Sequence, residues 1–148
     1  MDGSERDRLC REIVDGIPDA VIFADREGVI RLWNAGAERI FGYTAGEAVG
    51  RSLDLIIPEP MRQRHWDGYF RVIETGVTRY GTELLAVPGV RKDGARVSLE
   101  FSIALLRDGA AAGGAAAILR DVTARWLKDK ELRERIKALE AGSGGGAG

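Results

Sequence analysis

The spacing of apolar positions changes period several times along the chain, and each change marks an element. Leu9, Ile13 and Val14 form one edge of a short amphipathic helix over 4–14, with Ser4 and Asp7 as caps and Gly16 and Pro18 as stops. Ala20-Val21-Ile22-Phe23-Ala24 and Val29 to Trp33 are compact apolar runs joined by Asp25-Arg26-Glu27-Gly28, which predicts a β-hairpin. Asn34 is placed to cap a helix with Ala37, Ile40 and Phe41 on its inner face and Gly42 at its end. Thr44-Ala45-Gly46-Glu47 has capping-box spacing for a second short helix ending at Gly50. Pro60 suits the first turn of a longer helix that stops at Gly76. Met61, His65, Tyr69 and Val72 share one of its faces, with Trp66, Phe70 and Ile73 beside them.

The second half reads as strands and then a helix. Residues 82–90 predict a strand, and Arg91-Lys92-Asp93-Gly94 a hairpin turn. Val97, Leu99, Phe101, Ile103 and Leu105 alternate with polar or small residues, the cleanest strand signal in the chain. Arg107 to Gly114 reads as a loop and Ala115 to Val122 as the last strand, its alanines expected against bulky neighbours. Beyond Thr123 the pattern turns helical, and Leu132, Ile136 and Leu139 have the 4–3 spacing of a coiled coil over less than two heptads. Ala141 to Gly148 holds only Gly, Ser and Ala, the composition of a flexible tail. The order predicts an α+β domain, five antiparallel strands with helices on one face. The expected layout is a flanking helix over 1–16, a central domain over 17–123, a C-terminal helix over 124–141 and a tail over 142–148.

Composition narrows the function. With 22 basic and 23 acidic residues the chain lacks the excess of Lys and Arg that a nucleic-acid or anionic membrane surface needs. Its apolar runs are too short for a membrane span, and MDGSERDRLCREIV has no signal-peptide core, so a cytoplasmic protein is expected. One cysteine, Cys10, allows no internal disulfide. One histidine excludes His-rich zinc sites and makes any Ser–His–Asp arrangement depend on His65. Neither GxxxxGK[ST] nor GxGxxG occurs, so no enzyme is expected.

Specific segments carry a family resemblance. They are Asp19-Ala20-Val21-Ile22, Asp25-x-x-Gly28, Trp33-Asn34-x-x-Ala37-Glu38-x-Ile40-Phe41-Gly42-Tyr43, Glu47-x-x-Gly50, Arg91-Lys92-Asp93-Gly94 and Asp121-Val122-Thr123. In this order they make residues 13–123 resemble a PAS domain of the bacterial sensor type. The resemblance implies a five-stranded antiparallel sheet with short helices on one face and amphipathic flanking helices. It also implies a sensory signal-transduction module, of the kind found in two-component systems. Such a module holds a small ligand or cofactor between the sheet and the long helix and relays its state through the C-terminal helix. A homodimer through the flanking helices and an effector or partner such as a histidine kinase are implied as well. The helix after Thr123 contains no histidine to serve as a kinase phosphoacceptor.

The cofactor stays open. Pro58-Glu59-Pro60-Met61-Arg62-x-Arg64-His65 looks like the segment that supplies the proximal ligand in haem-binding oxygen-sensor PAS domains, which makes His65 a candidate ligand to haem iron. Met61, Tyr69, Tyr80, Leu85, Phe101 and Ile103 would line the pocket. Those sensors place an arginine on the strand before the hairpin. Ungapped counting puts Leu85 there, and no arginine lies between Arg79 and Arg91. An apolar distal side loses oxygen's charge-assisted hydrogen bond and suits CO or NO relatively better. The RxRH segment also resembles PAS domains without haem, in which His65 would be a polar position on a partly solvated helix. A ligand-free dimerisation module is the third reading. Flavin photochemistry is disfavoured, because Gly50-Arg51-Ser52-Leu53 lacks the cysteine of flavin-binding members. Asp121 and Thr123 match the family's signalling hinge, with Val122 in place of Ile, and equally suit a helix cap.

Overall fold

A computed structural model describes residues 1–77, 85–108 and 111–145. Five strands form one antiparallel sheet in the order β2-β1-β5-β4-β3. They are β1 (Ala20–Asp25), β2 (Ile30–Trp33), β3 (Leu85–Val90), β4 (Arg96–Asp108) and β5 (Ala111–Asp121). The helices are α1 (Gly3–Gly16), α2 (Ala35–Phe41), α3 (Ala45–Ala48), α4 (Arg62–Thr75) and α5 (Thr123–Gly145). Two 3₁₀ turns, Leu53–Ile56 and Glu59–Met61, lead into α4.

The α+β expectation holds, and the registers align its apolar rows. Leu85 pairs with Phe101, Phe101 with Leu119, and Leu119 with Ala20. Two residues along β4, Ile103 pairs with Ala117, which pairs with Ile22, which pairs with Trp33. Successive side chains alternate faces, so the alternating positions of β4 line one side of the sheet. Ile30, Trp33, Ala37, Ile40, Phe41, Ala48, Ile56, Val97, Leu99 and Leu119 form the core there. Phe101 and Ala117 pack against it. The alanine-rich strand does meet bulky partners.

The first half is closely tied. Asn34 is 2% exposed. Its side-chain oxygen accepts from the Val21 and Ala37 N–H groups at 2.8 and 2.9 Å. Its amide donates to the carbonyls of Val14 and Asp19 at 2.6 and 3.0 Å. One residue thereby caps α2, anchors β1 and holds the end of α1, leaving no buried polar atom of its own unpaired. Gly42 closes α2 at φ +85°, a left-handed position that glycine takes without strain. Thr44 and Glu47 form the expected capping box of α3.

Several boundaries differ from expectation. The N-cap of α1 is Asp2, whose carboxylate accepts from Glu5 N–H at 2.8 Å, so the helix starts before Ser4 or Asp7 could cap it. Its apolar edge is not buried, and Ile13 is 59% exposed. Pro60 sits in a 3₁₀ turn ahead of α4. Of the expected loop over 107–114, residues 109–110 lie outside the described residues and the rest is strand: Arg107 pairs with Ala112 and Asp108 with Ala111 after a register shift. Small residues there are free to extend, and ladder pairing outweighs their loop-like composition. Helix α5 runs to Gly145, past the expected start of a tail, because adding a residue to a long helix costs far less than nucleating one.

Candidate functional site

Helix α4 buries no residue fully. It rests on the hairpin between β1 and β2 and on the first 3₁₀ turn through an aromatic row. The Trp66 indole N–H donates to Asp54 Oδ1 at 2.7 Å. Its ring lies on Gly28, where φ is +79° and an added Cβ would sit 2.1 Å from ring carbons. Glycine is therefore required at that turn for backbone and contact alike. The Tyr69 hydroxyl donates to the Asp25 carbonyl at 2.5 Å, with the Ala24 carbonyl at 3.2 Å. Burial, then the nearby Asp25 charge, pushes the Tyr69 phenol up to about 12, and the backbone amide of Ala115 opposes this. Trp66 and Phe70 stack with centroids 5.4 Å apart.

His65 stands in this row, edge-on to Trp66 at 4.8 Å and tilted against Tyr69 at 5.8 Å. Its Nδ1 is buried without a hydrogen-bond partner among the described residues. Burial lowers its pKa below 6.5, against the opposing pull of the Asp54 charge, so the ring is neutral near pH 7.

The Asp25 turn supports α4 from below. Its carboxylate accepts from the N–H groups of Glu27 and Val29 and from Arg31 Nε. Burial would raise its pKa, but Val29, Arg31 and Glu27 outweigh that and hold it below the usual range.

The expected lining residues fall into two packings. Met61, His65 and Tyr69 lie half-buried on or beside α4, while Phe101 belongs to the margin of the sheet core and Ile103 follows it along β4. Leu85 opens β3 opposite Phe101, and Tyr80 lies outside the described residues. One concavity of about 290 Å³ is lined by Tyr43, Arg51, Ser52, Asp54, Leu55 and Arg62, and another of about 250 Å³ by Asp25, Arg26, Glu27 and Gly113. Neither is lined by His65. The donor chemistry at His65 still fits an axial ligand, a neutral imidazole with one nitrogen that the protein leaves unsatisfied. No group of three or more His, Cys, Asp or Glu suited to a bare metal ion occurs among the described residues.

The other end of β5 meets α5. Asp121 Oδ1 accepts from the Thr123 N–H at 2.9 Å and from its hydroxyl at 2.6 Å. Thr123 Oγ1 accepts from the Ser98 N–H of β4 at 2.9 Å, and the Val122 N–H donates to the Ser98 carbonyl at 2.8 Å. Arg125 of α5 pairs with Glu100 of β4. The sequence left Thr123 between a signalling hinge and a helix cap; its side-chain oxygen fastens α5 to β4, and Asp121 satisfies the exposed helix N–H, because the strand end brings Ser98 within reach. At the same edge Arg120 grips both oxygens of Asp19 at 3.3 and 3.1 Å.

Sequence reasoning missed the partners of Lys92. Exposed in the hairpin turn, it pairs with Glu47 at 2.6 Å, and its backbone N–H donates to the Phe41 carbonyl at 2.8 Å. Lys92, followed by Thr44, lowers the Glu47 pKa to about 2. Trp66 over Gly28 was missed as well, since the two are far apart in sequence and carry no local signal.

A family model described as PAS fold matches residues 14–126. The sensor protein FixL of Bradyrhizobium diazoefficiens is 35% identical over 111 residues, covering 70% of this chain and 21% of that protein. The cell-division control histidine kinase PdhS of Brucella ovis is 28% identical over 133 residues, covering 90% and 13%. The chain thus spans about a fifth or less of the length of these curated relatives. A PAS domain from Colwellia psychrerythraea shares the fold at a TM-score of 0.70 and 22% identity, covering 80% of this chain and 98% of that one. No helix among the described residues is long and apolar enough to cross a membrane.

Proposed function

The chain belongs to the PAS family, and on that premise we propose that it is a sensory module that holds a small ligand or cofactor between α4 and the sheet and relays its state through α5. The observation that carries this reading is that one strand lies between both ends of the relay. The Tyr69 hydroxyl of α4 bonds the carbonyls of Ala24 and Asp25 at the end of β1, where those residues pair with Ala115 and Gly114 near the start of β5. At the far end of β5, Asp121 holds Thr123, the first residue of α5, whose hydroxyl oxygen is tied in turn to Ser98 of β4. A change in how α4 sits therefore acts on a strand that ends at the base of α5. Kinship with a sensor protein and a histidine kinase supports an effector of the kinase class downstream. Catalysis then belongs to that effector, and this chain supplies the input. Trp126, Leu127, Leu132, Ile136 and Leu139 are exposed on α5 and support a second copy as the neighbour of that helix.

Asp121→Ala and Thr123→Val test the fastening. Both should speed hydrogen exchange at Trp126 N–H, which bonds the Val122 carbonyl in the first turn of α5. Unchanged exchange in both variants would count against the relay.

A haem group is the second reading, favoured by the buried, unpartnered Nδ1 of His65. Haem would supply a gas- or redox-responsive iron, with His65 as its protein ligand. The check is a UV–visible titration with haemin, with His65→Ala alongside. A Soret band that saturates at one haem per chain and is lost in the variant supports it. No saturable uptake sinks it and leaves a metabolite ligand or a pure interaction module.

A further inference from the structure

We propose that the concavity lined by Tyr43, Arg51, Ser52, Asp54, Leu55 and Arg62 binds a small oxyanion, a carboxylate or phosphate group. The site is separate from the face that His65 and Tyr69 present, and it does not depend on the sensory reading.

The two guanidinium groups are placed differently and complement each other. Arg62 is held by the protein: its Nε donates to the Ile57 carbonyl at 3.1 Å and its Nη2 to the Asp54 carbonyl at 3.3 Å. These bonds fix the plane of the fork and leave further N–H donors for a ligand. Arg51 has an exposed side chain with no hydrogen-bond or ion-pair partner among the described residues, on a firmly set backbone. The Ile30 N–H donates to the Arg51 carbonyl at 2.8 Å, and the Gly50 N–H donates to the Ile30 carbonyl at 2.8 Å. Ser52 Oγ accepts from the Asp54 N–H at 3.1 Å, so its own hydroxyl proton is available to donate. The Tyr43 ring forms a wall, with Lys92 Nζ 5.8 Å from its centroid.

The opposing charge is Asp54, whose Oδ1 accepts from the Trp66 indole and lies 3.9 Å from Arg62 Nε. Two guanidiniums face one carboxylate, so the lining carries net positive charge. Planar forks bind carboxylates and phosphates through paired, charge-assisted hydrogen bonds. A volume of about 290 Å³ suits a small molecule rather than a macromolecular segment. Occupation would bear directly on α4, since Arg62 is its first residue and Asp54 holds its Trp66.

The test is a titration of the ¹⁵N-labelled chain with succinate and, separately, with inorganic phosphate, at ionic strength held constant with sodium chloride. Saturable shifts at the amides of residues 52–55 are expected from at least one of the two anions. Response to succinate alone identifies a carboxylate site, and tighter binding of phosphate a phosphate site. Arg51→Gln, an exposed change that leaves the fold alone, should weaken Kd about tenfold, the loss expected for one charge-assisted contact. Asp54→Asn keeps an acceptor for Trp66 and should tighten Kd several-fold by removing the like charge. These opposite signs are not produced by structural damage. No saturable shift with either anion, or a Kd that Arg51→Gln leaves unchanged, overturns the proposal.

Discussion

The part of the molecule built from β1, β2, α2 and α3 differs sharply from α4, the helix that lies against it. In the first, Phe41 is wholly buried, Asn34 satisfies all its polar atoms, and capping residues close each helix end. In the second, no residue is fully buried, Phe70 is 47% exposed, and His65 keeps a buried nitrogen without a partner among the described residues. The helix is held by a few polar tethers from Trp66, Tyr69 and Arg62. Stability is thus concentrated where the fold is specified, and the weakly held element is the one a ligand could move. This matches the general rule that binding elements come from the less stable parts of a domain.

The largest expected effect breaks the contrast in the core. Phe41→Ala should lose about 3–5 kcal/mol of unfolding free energy by denaturant titration, the usual cost of emptying a buried aromatic site. Phe70→Ala on α4 should cost well under half as much, because water already reaches its ring. Equal losses would erase the distinction.

Asn34→Ala comes next. It strands the carbonyls of Val14 and Asp19 and the N–H groups of Val21 and Ala37. A loss of about 2–3 kcal/mol is expected, with water relieving part of the penalty. Hydrogen exchange should rise in both α1 and α2, and a response confined to α2 would deny that Asn34 holds α1.

A smaller effect sharpens the α4 side. His65 has a folded pKa below its ordinary 6.5. The unfolded chain therefore takes up the proton first as pH falls. The stability that neutral His65 contributes is complete above about pH 6.5 and is lost as pH drops through the folded value. His65→Leu should flatten the pH dependence of unfolding in that window, and an unaltered slope would contradict the burial of the ring. The smallest effect belongs to Glu47, whose titration followed by NMR should have its midpoint at about 2 and move up toward 4.5 in Lys92→Met.

What the sequence disclosed follows the same division. The hairpin at Asp25–Gly28, the caps at Asn34 and Thr44 and the alternation along β4 are local signals, and each appears where its spacing put it. The Asn34 bonds to Val14 and Asp19 were not legible, because spacing along a helix does not say what lies across the fold. Trp66 on Gly28 and Lys92 on Glu47 are hidden for the same reason. The 107–114 segment misled because Gly and Ala describe a loop only when no neighbouring strand offers partners. At the site, the helical period placed His65 with Tyr69 on α4, beside Met61 at its N-cap, and strand alternation placed Phe101 with Ile103 on β4. How the helix seats on the sheet is a matter of tertiary packing that neither period encodes.

The relay claim is tested most directly by amide hydrogen exchange in Tyr69→Phe. This variant keeps the ring and removes only the hydroxyl that joins α4 to the carbonyls of Ala24 and Asp25, which pair with Ala115 and Gly114 near the head of β5. The account predicts faster exchange at Ser98, Val122 and Thr123, the amides that fasten α5 to the far end of the strand. Changes that stop at Ala24, Asp25 and Ala115 would contradict it.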